Sequence, residues 1–139
     1  MTWRQRPTED FGRRFGRYEK KHRRELEAVL RNLARYMEAL NVGANPLQVK
    51  FGFIHSEGKG VVAIGENGGG RSLAATRLYV YPDATERVLH LLILGDKRCQ
   101  TEDIQFCHEC VDKLHKRNAG THEPEQGEQK EGDEPEGVP

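Results

Sequence analysis

The chain has 139 residues, with 22 basic and 22 acidic side chains, six histidines, three cysteines and 35% hydrophobic residues. This length suits one domain with a modest core and excludes a multi-domain enzyme. The apolar runs are too short for a transmembrane helix, and the first residues lack the apolar stretch of a secretory signal. Three cysteines without framework spacing favour a reducing environment, so we predict a cytoplasmic protein without membrane contact.

The net charge of zero hides a strong segregation of charge along the chain. Residues 1–41 carry eleven basic against six acidic side chains, residues 42–117 carry ten against nine, and residues 118–139 carry one against seven. A basic body of about +6 is therefore joined to an acidic segment of −6. A basic body is typical of proteins with a polyanionic or acidic partner, although a solvated helix face explains it equally well.

Residues 118–139 have the composition of a disordered segment. They contain three prolines, several glycines and many glutamates, with Val138 as the single large aliphatic residue. Such a segment buries too little apolar surface to offset the entropy of ordering. We therefore predict a folded domain at residues 1–117 and a disordered acidic tail at residues 118–139.

The first part of the domain predicts a strand and a helical hairpin. Residues 2–6 predict a short strand that Pro7 ends, and Thr8 is a suitable N-cap for a first helix. A continuous apolar stripe at spacings of four and three residues predicts a second helix, formed by Leu26, Leu30, Leu33, Met37 and Leu40. Asn41, Gly43 and Pro46 mark its end.

A change to strand-like periodicity follows the hairpin. The predicted strands cover residues 47–54, 61–64, 76–81 and 87–94. The last of these is apolar on both faces, which places it inside the sheet. A glycine-rich loop is predicted at 65–70, and a turn at Pro82 and Asp83.

A last helix completes the predicted fold. Gly95 ends the preceding strand, and Thr101 is the predicted N-cap. Cys107 and Cys110 on this helix supply two of the four ligands that structural zinc requires, so free thiols are favoured over a metal site. The predicted fold class is α+β, with an N-terminal strand and a helical hairpin packed on an antiparallel sheet, and a C-terminal helix.

Four parts of the chain carry a resemblance to a known family. They are the strand-to-helix entry at residues 3–11, the helical hairpin, the arginine-bearing strand Thr76–Tyr81, and the strand end Leu94–Arg98 with its basic pair. Together they resemble the RelE/ParE superfamily, the toxins of bacterial type II toxin–antitoxin pairs, over residues 2–116. The resemblance implies a RelE-like fold and a metal-independent endoribonuclease without a cofactor. It also implies messenger RNA on the ribosome as the target, and a cognate antitoxin protein as a partner.

The resemblance also implies a reaction and a set of cationic residues. A base removes the 2′-hydroxyl proton, that oxygen attacks the adjacent phosphorus, and an acid protonates the leaving 5′ oxygen, which leaves a cyclic phosphate. Arg77 corresponds to the phosphate-binding arginine, with Lys97 and Arg98 as further catalytic cations. These three residues and Tyr79 are the predicted RNA contacts. Cations at the phosphate stabilise the transition state.

The sequence does not identify the general base and the general acid of this reaction. His55 is kept as a catalytic candidate, and Glu66, Tyr79 and His90 are alternatives. A histidine has a suitable ordinary pKa. However, His55 shares its parity with two phenylalanines and His90 lies among leucines, and both placements favour a structural role.

The predicted strand pairing places these residues relative to one another. A turn at residues 82–86 sets Arg77 opposite Leu91 and Tyr79 opposite Leu89. Lys97 then faces the same way as Arg77, and both line one open face of the sheet with Tyr79 and Tyr81. A register slip of one residue undoes this arrangement. Without the resemblance, Arg77 is better explained as a sheet-face arginine that pairs with a carboxylate.

The sequence departs from the ribonuclease pattern at positions that bear on catalysis. It has Val61-Val62-Ala63-Ile64 where the RelE ribonucleases carry lysines, and Ile104 where they carry a tyrosine. Two alternatives to the ribonuclease therefore stand. One is a ParE-type toxin that binds gyrase, and the other is a non-catalytic RelE-fold interaction module.

Overall fold

The structure is a computed structural model that describes residues 2–66 and 76–122, with side chains described as far as Arg117. In chain order the elements are β1 (Arg4–Pro7), α1 (Glu9–Lys21), α2 (Arg23–Asn41), β2 (Ile54–Ser56), β3 (Val62–Ile64), β4 (Arg77–Asp83), β5 (Val88–Gly95), the 3₁₀ turn η1 (Lys97–Cys99) and α3 (Gln100–His122). The chain divides into two compact units, residues 1–108 and 109–139. The first unit holds the sheet, α1, α2 and the first turns of α3.

The five strands form one mixed sheet in the order β1–β5–β4–β3–β2. β1 lies parallel to β5, and the other neighbours are antiparallel. The predicted α+β class and C-terminal helix are confirmed. The predicted antiparallel sheet is present in β2–β5, and the N-terminal strand β1 joins its edge in the parallel direction, with the Thr8 N–H donating to the Leu91 carbonyl at 3.0 Å.

Thr8 also determines where α1 begins. Its hydroxyl accepts a hydrogen bond from the Phe11 N–H at 2.9 Å and donates one to the Leu92 carbonyl at 2.7 Å. Glu9 and Asp10 follow in the first turn, where the helix dipole favours negative charge. The prediction of Thr8 as an N-cap is therefore confirmed.

The helical hairpin packs on one face of the sheet. The predicted stripe of α2 joins Trp3, which precedes β1, aromatic side chains of α1 and alternate strand residues in a single core. The sheet contributes Val62, Ile64, Leu78, Val80, Leu89, Leu91 and Leu94 to this core. Side chains alternate along a strand, so Ala63, Arg77, Tyr79 and Tyr81 lie on the opposite face, which we call the second face.

The predicted strand at residues 47–54 is not formed. Only Ile54 of this segment belongs to β2, and the residues before it form turns and irregular structure. The rings of Phe51 and Phe53 stack with centroids 5.1 Å apart, and the Arg35 guanidinium of α2 lies 5.1 and 5.2 Å from their centres. The alternating pattern therefore comes from two rings that pack together beside α2, and not from pairing within the sheet.

The pairing of β4 with β5 also differs from the prediction. β4 continues through the predicted turn to Asp83, and a bulge interrupts the pairing after Tyr79. As a result Arg77 lies opposite Gly95, and Tyr79 lies opposite Ile93 instead of the predicted leucines. The turn begins later than expected because Pro82 lies within the strand, paired with β5.

The start of the last helix is capped by a different residue from the one predicted. The Asp96 carboxylate accepts the Arg98 N–H at 2.9 Å and caps η1, which runs directly into α3. Thr101 therefore lies inside the helix, and its predicted N-cap role is wrong. Gly95 is the last residue of β5, as predicted.

Two predicted segments lie wholly or partly outside the described residues. α3 continues to His122, and residues 123–139 of the predicted acidic tail are not described. Most of the predicted glycine loop falls in the undescribed range 67–75. In the part of the chain that is described, no helix combines the length and the apolar character that crossing a membrane requires.

Substitution of two glycines by alanine should change the free energy of unfolding in opposite directions. A Cβ at Gly95 would collide with the Asp103 carboxylate and lie 3.4 Å from Arg14 Nη1. We expect Gly95→Ala to lower the free energy of unfolding by about 1–3 kcal/mol. A Cβ at Gly12 on α1 meets no atom within 4 Å, so Gly12→Ala should raise it by roughly 1 kcal/mol. Urea unfolding of both variants measures this, and an undiminished stability of Gly95→Ala would contradict the close approach of Asp103.

Candidate functional site

Arg77, the predicted phosphate-binding residue, lies on the second face at the start of β4 and faces a carboxylate. Its Nη1 atom is 3.8 Å from Glu57 Oε2, and the two side chains are 25% and 14% exposed. This distance exceeds the roughly 2.7–3.2 Å of an N–H···O hydrogen bond, so the contact is an ion pair without a hydrogen bond. The carboxylate pairing considered for Arg77 is therefore present, and part of the guanidinium side chain still meets solvent.

The backbone of Glu57 is held from both sides. Its N–H donates to the Val61 carbonyl at 2.8 Å, and its own carbonyl accepts from His108 Nε2 at 2.8 Å. Because a carbonyl only accepts, Nε2 of His108 must carry the hydrogen. Residues 58–60 between these anchors all have positive φ, of 88°, 55° and 80°, and glycines at both ends of this run adopt that conformation without strain. The turn thus fixes the Glu57 backbone beside Arg77.

Tyr79 lies two residues along β4 from Arg77 and is fully buried. Among the described residues its hydroxyl has no hydrogen-bond partner. Burial raises the pKa of Tyr79, while the Arg77 charge lowers it and Glu57 raises it, so both charges act on the phenol. The prediction that Tyr79 lies on an open face is wrong, because the first turns of α3, with Asp103 and Cys107, lie near enough to affect the same pKa.

The other two predicted cations lie in η1. Lys97 and Arg98 are both exposed, and Arg98 Nη2 is 3.0 Å from Asp96 Oδ2. This pairing holds the pKa of Asp96 below its usual range. The predicted strand-like facing of Lys97 is wrong, because the chain enters the 3₁₀ turn directly after Asp96. The catalytic and RNA-binding roles of Lys97 and Arg98 stay predictions.

Two of the candidates for proton transfer, His55 and Glu66, have different surroundings in the structure. His55 is exposed and lies opposite Ala63, on the second face, rather than in the apolar surroundings expected for it. The Glu66 carboxylate instead accepts the Thr76 N–H at 2.7 Å, which gives it a structural contact. The catalytic role of His55 stays a prediction.

His90 belongs to a row of three residues on adjacent strands. It is 6% exposed and lies opposite Tyr81 on β4 and beside Arg6 on β1. The ring centroids of Tyr81 and His90 are 6.0 Å apart, and burial raises the pKa of Tyr81. We call Arg6, His90 and Tyr81 the polar row. The position of Arg6 beside His90 was not predicted, because the parallel pairing of β1 leaves no signal in the local sequence.

A single turn borders both the ion pair and the polar row. Glu57 at its start contacts Arg77, and a Cβ at Gly60 would lie 3.1 Å from the ring of Tyr81. The second face thus carries two groups of polar side chains on either side of the 57–61 turn. No hydrogen bond or ion pair links Lys97, Arg98 or His55 to Arg77 within the described ranges.

A buried carboxylate that the sequence did not point to lies at the end of β5. Asp103 is 2% exposed, and both of its carboxylate oxygens lie 3.4 Å from Arg14 Nη1. The same nitrogen donates to the Leu94 carbonyl at 2.8 Å. Burial raises the pKa of Asp103 above its ordinary value, although Arg14 acts in the opposite direction. This contact joins α1, β5 and α3.

None of the three cysteines forms a disulfide in the described structure, and Cys107 is fully buried. Within the residues that the structure describes, no group of three or more His, Cys, Asp or Glu side chains is placed to hold a metal ion.

Comparisons with known proteins add no assignment. No family model, curated protein or solved structure was found to match this chain. The RelE/ParE resemblance therefore stays a prediction that rests on the sequence strings.

Two buried tyrosines, one on β4 and one on α2, allow a matched test of whether the Tyr79 hydroxyl lacks a hydrogen-bond partner. Tyr79 and Tyr36 are both fully buried, but the Tyr36 hydroxyl donates to the Pro46 carbonyl at 2.8 Å. We expect Tyr36→Phe to lower the free energy of unfolding by about 1 kcal/mol and Tyr79→Phe to raise it by about 1 kcal/mol. Chemical unfolding measures both values. A loss of stability in Tyr79→Phe would show that its hydroxyl has an acceptor in the free protein.

The buried Asp103 predicts a dependence of stability on pH. Because its pKa is raised on folding, its contribution to stability is fully present below the pKa of the unfolded chain and falls as pH rises through the folded pKa. The free energy of unfolding of the wild type, minus that of Asp103→Asn, should therefore decrease from acidic to neutral pH. Urea unfolding across a pH series measures the difference. An increase over this range would mean that Arg14 outweighs burial.

Proposed function

We propose that this protein is the toxin of a type II toxin–antitoxin pair, a metal-independent endoribonuclease that cleaves messenger RNA and is neutralised by a cognate antitoxin. The observation that carries the proposal is the polar row, in which Arg6, His90 and Tyr81 lie side by side on three strands. Metal-free cleavage of RNA requires a general base, a general acid and a positive charge at the phosphate, and an imidazole, a phenol and a guanidinium can supply them. The order of strands and helices agrees with the order that the resemblance implies.

Each residue of the polar row has a distinct part in the proposed reaction. His90 takes the proton of the 2′-hydroxyl, and the 2′ oxygen forms a bond to the adjacent phosphorus. The bond from phosphorus to the 5′ oxygen breaks, and that oxygen takes its proton from the Tyr81 phenol, which is protonated at neutral pH. Arg6 stabilises the charge on the phosphate. The products are a 2′,3′-cyclic phosphate and a 5′-hydroxyl, and the proton on His90 then returns to Tyr81.

Arg77 supplies a second phosphate contact in this proposal. It lies four residues from Tyr81 on the same face of β4, so one RNA strand can place two of its phosphates at the polar row and at Arg77. Lys97, Arg98 and His55 are exposed and accessible to the same strand. Base contacts set the sequence preference, whereas these cations position the backbone.

Expression of the full chain should arrest growth, with messenger RNA cut to fragments that end in cyclic phosphate. His90→Gln and Tyr81→Phe should each lower the cleavage rate about 10²-fold or more, because each removes one proton-transfer group. Arg77→Ala should relieve the arrest, and Arg31→Ala on the exposed side of α2 is the control with the same change of charge. Sequencing of RNA ends and a purified cleavage assay measure these effects. Intact messenger RNA in arrested cells would refute the ribonuclease proposal.

A toxin that binds a protein is the second candidate, and one apolar surface favours it. A cavity of about 400 Å³ between the start of β1 and the end of α2 is lined by Trp3, Leu40, Val42 and Pro46, with Arg87 at its edge. Val42 is 83% exposed, and Leu47 beyond it is 60% exposed. Exposed apolar side chains next to a cavity are typical of protein-binding surfaces. A change of DNA supercoiling in arrested cells, with messenger RNA intact, would favour this candidate.

A further inference from the structure

Two features of the second face are unfavourable in the free protein when each is taken alone. The guanidinium of Arg77 has a carboxylate neighbour but no hydrogen bond to it, at 3.8 Å from Glu57. The hydroxyl of Tyr79, two residues from Arg77 on the same face of β4, is buried without an acceptor in the described part of the chain. A buried donor without an acceptor costs free energy. A ligand with acceptor atoms that contacts Arg77 and Tyr79 together would supply the hydrogen bonds that both side chains lack.

The Glu57 carboxylate can leave this position without any change of the backbone. The Glu57 N–H and carbonyl are both hydrogen-bonded, to Val61 and to His108, so the turn stays in place. The carboxylate itself has a long ion pair and keeps 14% of its side chain exposed. Rotation of the Glu57 side chain therefore suffices to uncover Arg77.

We propose that Glu57 occupies a phosphate site of this protein, and that a phosphodiester of single-stranded RNA displaces it. In the bound state the phosphate oxygens accept hydrogen bonds from the Arg77 guanidinium and from the Tyr79 hydroxyl. This inference rests on the proposed action on RNA, and it names the residue that competes with the substrate.

The chemistry of the phosphodiester fits this exchange. A phosphate group presents several acceptor oxygens and pairs with arginine through two parallel hydrogen bonds, which the Glu57 carboxylate does not make. The Glu57 charge repels every anion, and only an anion that hydrogen-bonds well to Arg77 and Tyr79 offsets this repulsion. Glu57 therefore makes binding selective against weak anions. Tyr79 becomes an RNA contact only after Glu57 has rotated away.

Four variants test the proposal by their affinity for a short, uncleavable 2′-O-methyl RNA at low salt, followed by fluorescence anisotropy. Glu57→Gln should bind about five-fold more tightly than the wild type. Glu19→Gln changes the net charge equally at an exposed position of α1 and should stay within about two-fold. Arg77→Gln and Tyr79→Phe should bind about five-fold more weakly, because each removes a donor to the phosphate.

The outcomes separate this inference from the proposed function. If the wild type binds and cleaves RNA but Glu57→Gln binds no more tightly than Glu19→Gln, the inference is wrong and the ribonuclease stands. Unchanged affinity in Tyr79→Phe, with its fold verified by circular dichroism, would also overturn it. If neither the wild type nor Glu57→Gln binds or cleaves RNA, both proposals fail.

Discussion

The hydroxyl of Thr8 is the contact on which the arrangement of the sheet and the hairpin depends. It accepts from the N–H of Phe11 and donates to the carbonyl of Leu92, while the Thr8 backbone N–H bonds to the Leu91 carbonyl. One residue thus ends a strand, begins a helix and fixes both to β5. Because β1 is held parallel to β5, the hairpin that follows covers one face of the sheet. The second face carries strand residues and the first turns of α3.

The bulge in β5 is part of the same arrangement. Tyr79 pairs with Ile93 and the next residue of β4 pairs with Leu91, so Leu92 has no partner on β4. A bulge re-aims the backbone, and here the Leu92 carbonyl accepts from Thr8 on the β1 side. The extra residue also shifts the register, which places Gly95 opposite Arg77. The position of Arg77 on the sheet is therefore linked to the contact that begins α1.

The sequence predicts those features that depend on neighbouring residues. The cap at Thr8 and the stripe of α2 are local patterns, and both are present. The alternation around Phe51 is equally local, but two stacked rings beside α2 produce it. Register, the parallel pairing of β1 and the burial of Tyr79 depend on residues far along the chain. A pattern within one strand carries no information on which strand lies beside it.

The candidate site also combines a residue that the local sequence indicates with one that it does not, and the two are brought together by opposite charge. Arg77 was identified from its own strand, whereas its neighbour Glu57 comes from a turn that no local pattern connects with β4. A partly buried guanidinium requires a negative partner, and in the free protein the chain itself provides one. In the proposed phosphate site, the bound phosphate takes the place of this carboxylate. Under that proposal, the Glu57 charge that stabilises Arg77 in the free protein also lowers the affinity for a phosphate, and a long ion pair without a hydrogen bond makes the exchange less costly.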